Sequence, residues 1–199
     1  MTTLSEFLIS KNIKVTEGNI SGINSQRNEI CDILKNKNYS YIMEIGFNAG
    51  HSSELFLENS NAYVYSFDIG SHFNQYLKYG KQFINQKYPN RHTIVFGDSK
   101  ISVPRFTKNN NIKFDLIFID GGHDYETAYA DLLNCKQLAH SETIVIMDDI
   151  VKNKRYEAEW TIGPSKAWNN LIKLNMLKEL SSSDYEYGKG QTVGQYIFN

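Results

Sequence analysis

Tyr41-Ile42-Met43-Glu44-Ile45-Gly46-Phe47-Asn48-Ala49-Gly50, followed by His51-Ser52-Ser53, decides how the rest of this chain is read. Residues 41–45 make a short β-rich run. The run ends in a turn punctuated by Gly46 and Gly50, and a helix-like segment follows to Glu58. Glycine takes backbone angles that other residues resist, and it lets other atoms approach closely. A helix that opens after such a turn presents free N–H groups and the positive end of its dipole. Strand, glycine turn and helix in this order form a place to hold a nucleotide-like ligand.

The turn reads E-x-G-x-x-x-G. It does not match the dinucleotide fingerprint G-x-G-x-x-G, and the chain has no G-x-x-x-x-G-K-[ST] cradle for a triphosphate. Working outward, residues 20–34 carry Ile23, Ile30, Ile33 and Leu34 at helical spacing. Strand-like runs at 62–67, 93–96, 114–119 and 143–147 alternate with helix-like segments at 72–87, 99–108, 125–139 and 164–174. Residues 177–180 and 192–198 read as two final strands around a turn-rich 181–190. The alternation predicts βαβ units, hence a mostly parallel sheet of seven strands with helices on both faces. The last pair, with no helix between, predicts an antiparallel hairpin at the edge. Residues 1–40 read as a helical arm or cap ahead of a single α/β domain over 41–199.

At 199 residues the chain suits one sizeable domain. Apolar residues at 41% and charged residues at 22% fit a globular protein. A formal net charge of -1 supplies no field to recruit a polyanion, so nucleic acid is not the expected partner. Cys31 and Cys135 lie far apart in helix-like contexts and read as buried thiols. No apolar run is long enough for a membrane span and no signal peptide is visible, so the expected address is cytoplasmic.

Ligands of open α/β sheets bind beyond the carboxyl ends of the strands. Asp68 follows the second strand, about 20 residues past the glycine turn, where a carboxylate is placed to accept from ribose hydroxyls. A helix cap or turn is the plainer role. Asp98-Ser99 follows the third strand and can cap the next helix. Asp120-Gly121-Gly122-His123-Asp124-Tyr125 follows the fourth, and Asp148-Asp149 the fifth. Strands four and five should be neighbours, so Asp120, Asp148 and Asp149 converge. Like charges in a cleft repel, and a divalent cation would neutralise them; all-oxygen ligands suit Mg²⁺, Ca²⁺ or Mn²⁺. Helix capping or solvent exposure is the alternative. His123 reads as metal ligand, general base or loop-packing residue.

With Glu44, Gly46, Gly50, Asp68, Asp98, Asp120 and Asp148 in this order, the chain from about Ile20 onward resembles the class I S-adenosylmethionine (SAM) dependent methyltransferases. Their Rossmann-like sheet also ends in a hairpin. Within that class, the segment from Asp120 to Tyr125 and the Asp148-Asp149 pair resemble the small metal-dependent O-methyltransferases. Those include the catechol type and the group that methylates sugars on natural products. The resemblance implies SAM at Glu44, Gly46, Asn48, Gly50, Ser52, Asp68, Asp98, Ser99 and Asp120. Asp98 or Ser99 would face the adenine, Ser52 the methionine carboxylate, and Glu44 either the cofactor or the glycine turn itself. It also implies a cation, by preference Mg²⁺, at Asp120, Asp148 and Asp149, with His123 and Asp120 in catalysis. Asp149 stands where the catechol type has Asn, and His123 where that type has a lysine base; the second departure weakens a catechol reading.

The expected acceptor is a small hydroxylated molecule, with a sugar or glycan precursor ahead of a phenol. Val151 to Ser165, with Tyr156 and Trp160, reads as a loop that could stack on the acceptor's ring. A nucleic-acid or N-acceptor methyltransferase and a non-catalytic SAM-fold binding protein are the alternatives. Residues 4–22 could fold over the cofactor or contact a second copy in a homodimer.

Overall fold

The computed structural model describes residues 2–16, 20–70 and 74–198. Its strands are β1 (Tyr41–Ile45), β2 (Tyr63–Asp68), β3 (His92–Phe96), β4 (Phe114–Ile119), β5 (Ala139–Asp148), β6 (Leu177–Glu186) and β7 (Lys189–Tyr196). The helices are α1 (Leu4–Ser10), α2 (Asn24–Lys35), α3 (His51–Asn59), α4 (Asn74–Lys87), α5 (Ser99–Asn109), α6 (Tyr125–Lys136) and α7 (Glu159–Lys173). The strands form one sheet in the order β3-β2-β1-β4-β5-β7-β6. The first five pair in parallel, and β7 and β6 join antiparallel. This is the seven-stranded, mostly parallel sheet with a terminal hairpin that the alternation implied.

Alternate side chains along each strand enter opposite layers, as the period of two requires. Ile42, Leu116, Phe118 and Ile146 pack on one face with Leu55 and Phe56 of α3 and Ile84 of α4. Met43, Ile45, Ile117, Ile119, Val145 and Met147 pack on the other with Val103 of α5, Leu132 of α6 and Trp168 of α7. Phe118 is fully buried; truncating such a residue to alanine removes about 3–5 kcal/mol. The two faces lock the register, so the strand ends meet along one edge. Among the described residues, no helix is long and apolar enough to cross a membrane.

Several boundaries differ from the sequence reading. Residues 181–186 and 189–191 belong to β6 and β7, so the turn narrows to Tyr187-Gly188. This serine-rich stretch is polar because much of it faces solvent, and its Ser182 hydroxyl pairs with Thr192 across the ladder at 3.0 Å. Helix α7 begins at Glu159 rather than Pro164. Its start is held by the Thr161 hydroxyl, which accepts from the Ala158 N–H and donates to the Ala158 carbonyl. Helix α6 stops at Lys136, and β5 starts at Ala139. Residues 4–10, within the stretch read as a helical arm, form a helix with a Thr3–Glu6 capping box. The expected helix start at His72 lies outside the described residues.

Candidate active site

Asp68, Asp98, Asp120, His123, Asp148 and Asp149 all line one cavity of about 780 Å³ at the carboxyl ends of the strands. That volume lies within the usual range for a small-molecule site. A second groove of about 940 Å³ lies at the opposite strand ends, around Tyr39, Tyr41 and Tyr63, and holds none of these carboxylates.

The glycine turn is fastened from beneath. Asp68 Oδ2 accepts from the Phe47 and Asn48 N–H groups at 3.0 Å each, and Oδ1 accepts from the Gly70 N–H at 2.8 Å. These bonds tie the end of β2 to the turn. They leave one acceptor position, on Oδ1, since each carboxylate oxygen can accept two bonds. Gly46 and Asn48 also line the cavity, with φ values of 93° and 47°.

Three residues that the resemblance gives to the cofactor lie outside the lining: Glu44, Gly50 and Ser52. Glu44 is fully buried and its carboxylate accepts from the hydroxyls of Ser52, Ser53 and Ser66. Burial pushes its pKa up to about 7, and the serine hydrogen bonds restrain the rise. It therefore joins β1, α3 and β2 behind the turn. Ser52 is held in the same cluster, and Gly50 caps α3 in a left-handed conformation.

Asp98 and Ser99 line the cavity just beyond β3. Asp98 is also the N-cap of α5, accepting from the Lys100 N–H at 2.9 Å. The capping role and the lining position coexist.

Ligand atoms of Asp120, His123 and Asp149 all lie within 4.8 Å of one another. His123 Nε2 is 2.9 Å from Asp149 Oδ2. Asp149 Oδ1 is buried and has no hydrogen-bond partner. A buried carboxylate oxygen without a donor is costly, and a hard cation satisfies it. The donor set therefore fits a divalent ion, but it differs from the expected one: His123 joins Asp120 and Asp149, and Asp148 stands outside the trio. Asp148 Oδ1 instead accepts from Gln26 Nε2 at 2.8 Å and from the Asp149 N–H at 2.9 Å. Burial, then the Asp148 and Asp149 charges, hold the Asp120 carboxyl well above its ordinary range, and Lys189 partly offsets them. Burial and the Asp149 charge push Asp148 up to about 7. The hydrogen bond to Asp149 raises the His123 pKa against the opposing effect of burial.

The sequence over residues 43–150, more than half of the 199, matches the family model of a methyltransferase domain. The chain belongs to this family. Solved structures agree in fold with this class I, SAM-dependent methyltransferase. An O-methyltransferase from Bacillus cereus, in complex with SAH, superposes with a TM-score of 0.76 at 15% identity, covering 98% of this chain and 90% of that one. A TDP-rhamnose 3'-O-methyltransferase of calicheamicin biosynthesis gives 0.63 at 17%, covering 84% and 76%. A Clostridium thermocellum protein provisionally assigned as an rRNA methylase gives 0.63 at 12%, covering 92% and 100%. Comparison with curated proteins found no match.

Four cavity residues of the methyltransferase lie outside 43–150: Thr16, Gln26, Trp160 and Lys189. The sequence reading passed over Thr16, Gln26 and Lys189. Lys189 carried a signal, since it sits among glycines at a hairpin; Gln26, on an ordinary amphipathic helix, carried none. Trp160 is 38% exposed and donates from Nε1 to the Gly188 carbonyl at 3.0 Å, and its ring meets Tyr187 edge-on at 5.9 Å. It is a rim residue; the buried tryptophan is Trp168. Tyr156, expected beside Trp160, is not in the lining. Tyr125 and Tyr129 stack on each other at 5.5 Å, as packing residues do.

Proposed function

We propose that this methyltransferase transfers the SAM methyl group to a hydroxyl of a small molecule, assisted by a divalent cation held by Asp120, Asp149 and their neighbours. The observation that carries the proposal is the buried, unpartnered Asp149 Oδ1 within a compact Asp120–His123–Asp149 cluster, in the same cavity as Asp68 and Asp98. When bound, SAM supplies an electrophilic methyl group and the cation supplies positive charge next to the acceptor oxygen.

The chain's own residues do the rest. Asp68 accepts from a ribose hydroxyl while clamping the turn; Asp98 and Ser99 face the adenine. Asp120, at the end of β4, joins the cofactor part of the site to the cation part. Alignment of acceptor and methyl donor in one line is the main task left to the protein. His123 takes the acceptor's proton. Asp149 orients its ring and raises its basicity through Nε2, which leaves Nδ1 as the proton-accepting nitrogen. The cluster geometry supports one other role for His123, as a third cation ligand in place of the proton acceptor, because a ring nitrogen that binds a cation cannot also take the proton. A His123→Ala variant that loses Mn²⁺ affinity along with turnover would support the ligand role.

The acceptor is chosen by residues outside the matched segment. Trp160 offers a flat apolar face, and Lys189 a cation next to the acidic cluster. A sugar or glycan precursor remains the favoured acceptor. The 3'-O-methyltransferase among the structural neighbours acts on a TDP-linked sugar, and hydroxyl pairs on sugars suit a hard cation. The near-neutral net charge argues against an RNA substrate. The test is methyl uptake from SAM across nucleotide sugars, phenols and RNA, with Mg²⁺ or with a chelator. Chelator-sensitive transfer to a small hydroxylated acceptor is expected. Chelator-indifferent turnover, or transfer to RNA alone, would overturn the proposal.

A further inference from the structure

A helix outside the matched segment reaches into the acidic cluster through one side chain. Gln26 of α2 is 2% exposed and lies 122 residues from Asp148 in the chain, yet its Nε2 donates to Asp148 Oδ1 at 2.8 Å. The same oxygen accepts the Asp149 N–H at 2.9 Å. Asp149 holds φ at 57°, a left-handed conformation uncommon outside glycine and tolerated best by Asn and Asp. Glu29, almost one helical turn further along α2, accepts from Tyr185 at 2.9 Å and from Gln191 at 3.1 Å. Gln191 pairs with Asp148 across the β5–β7 ladder. Helix α2 is thus fastened at two points, to Asp148 itself and to its ladder partner Gln191.

We infer that Gln26 is a positioning residue for the cation site. It fixes the Asp148 carboxylate; Asp148 fixes the Asp149 amide; and the left-handed turn at Asp149 then aims its carboxylate at Asp120 and His123. This gives Asp148 Oδ1 a positioning role and makes α2 part of the frame that holds the site. The inference rests on the cation reading of the Asp120–His123–Asp149 cluster.

The geometry favours this over simple packing. A buried glutamine that served only to fill space would leave its amide without a specific acceptor, or the site would carry an apolar residue at no polar cost. Here the amide donates to a buried carboxylate that already carries one N–H, and orientation of that carboxylate sets its neighbour's backbone. Outer residues that orient ligands commonly change metal affinity by about 10–100-fold when replaced.

The test is Mn²⁺ binding to the SAH-loaded protein by calorimetry and by electron paramagnetic resonance, for the wild type and for Gln26→Met, Gln26→Glu and Asp120→Asn. Gln26→Met keeps the volume and removes the donor; Gln26→Glu keeps the shape and places a second negative charge against Asp148. Both should raise the Mn²⁺ dissociation constant at least tenfold, with the Glu variant the worse, while SAH affinity stays within twofold. SAH affinity reports that each variant is folded. Should one glutamine variant fail that control, the other carries the test. Mn²⁺ affinity within twofold of wild type in the glutamine variants, alongside loss of binding in Asp120→Asn, would overturn the role of Gln26 and leave the cation site standing. Mn²⁺ binding that is absent from the wild type, or indifferent to Asp120→Asn, would overturn the cation reading and this inference with it.

Discussion

A Cβ atom on Gly46 would lie 1.9 Å from the carbonyl oxygen of Asp120. The first glycine of the turn therefore makes room for protein backbone at the end of β4, in addition to taking a φ of 93°. The Ile45 carbonyl accepts from the Asp120 N–H at 2.9 Å in the same place. The glycine turn and the start of the Asp120 loop are thus one rigid unit, joined backbone to backbone.

Gly46→Ala should consequently damage both halves of the site at once. Neither the angle nor the space is available to alanine. A loss of more than about 3 kcal/mol of stability is expected, as for other strained or overpacked positions. Chemical denaturation measures it; a variant of wild-type stability would contradict the packing described.

Asp68→Ala removes a carboxylate with two tasks, clamping the turn amides and facing the cavity. Hydrogen bonds to a charged group contribute about 1.5–3 kcal/mol each. SAH affinity should fall on the order of 10–100-fold, measured by calorimetry. Unchanged affinity would remove Asp68 from the cofactor site.

Glu44 gives the protein a pH dependence of predictable sign. Its carboxyl is raised from an ordinary 4.5 to about 7, chiefly by burial. Between those values the folded protein holds a proton that the unfolded chain has released. Stability is therefore fully present below pH 4.5 and falls as pH rises through 7. Asp148 acts in the same direction, so the informative quantity is a difference. Glu44→Gln keeps polar partners for Ser52, Ser53 and Ser66 without the charge. Its Tm should decline less than that of the wild type between pH 5 and pH 8, in thermal melts without added cation. Parallel slopes would count against the buried position of Glu44.

Trp160→Ala should separate acceptor from cofactor. Its indole stands at the rim on the Gly188 carbonyl, next to Lys189. Loss of an aromatic platform should raise the acceptor KM by about three- to tenfold, with SAH affinity unchanged. A fall in SAH affinity instead would place Trp160 at the cofactor end.

The fold was legible because its signals are local and repeated. Apolar runs such as Phe114–Ile119 alternate with helical periods, and the sheet that results has the implied seven strands. The hairpin differs in extent because 181–186 are, Tyr185 apart, serines and acidic residues. Propensity reads these as turn, and only pairing with β7 makes them strand. The start of α7 was missed because Gly163 and Pro164 disfavour a helix. Its first residues are held by a Thr161–Ala158 exchange of hydrogen bonds that leaves no mark on periodicity.

The chain by itself determined which residues follow each strand, because strand ends are set by hydrophobic runs and the ligand edge by parallel topology. That sufficed to bring Asp68, Asp98, Asp120, Asp148 and Asp149 to one cavity. Only the tertiary structure decided which way each carboxylate turns. Glu44 was drawn inward by three serines, Asp148 toward Gln26, and Asp149 toward His123. The physical reason is reach. Sequence spacing fixes a residue's place along its own strand or helix. A carboxylate's hydrogen-bond partners are chosen by what packs beside it, here a side chain 122 positions away.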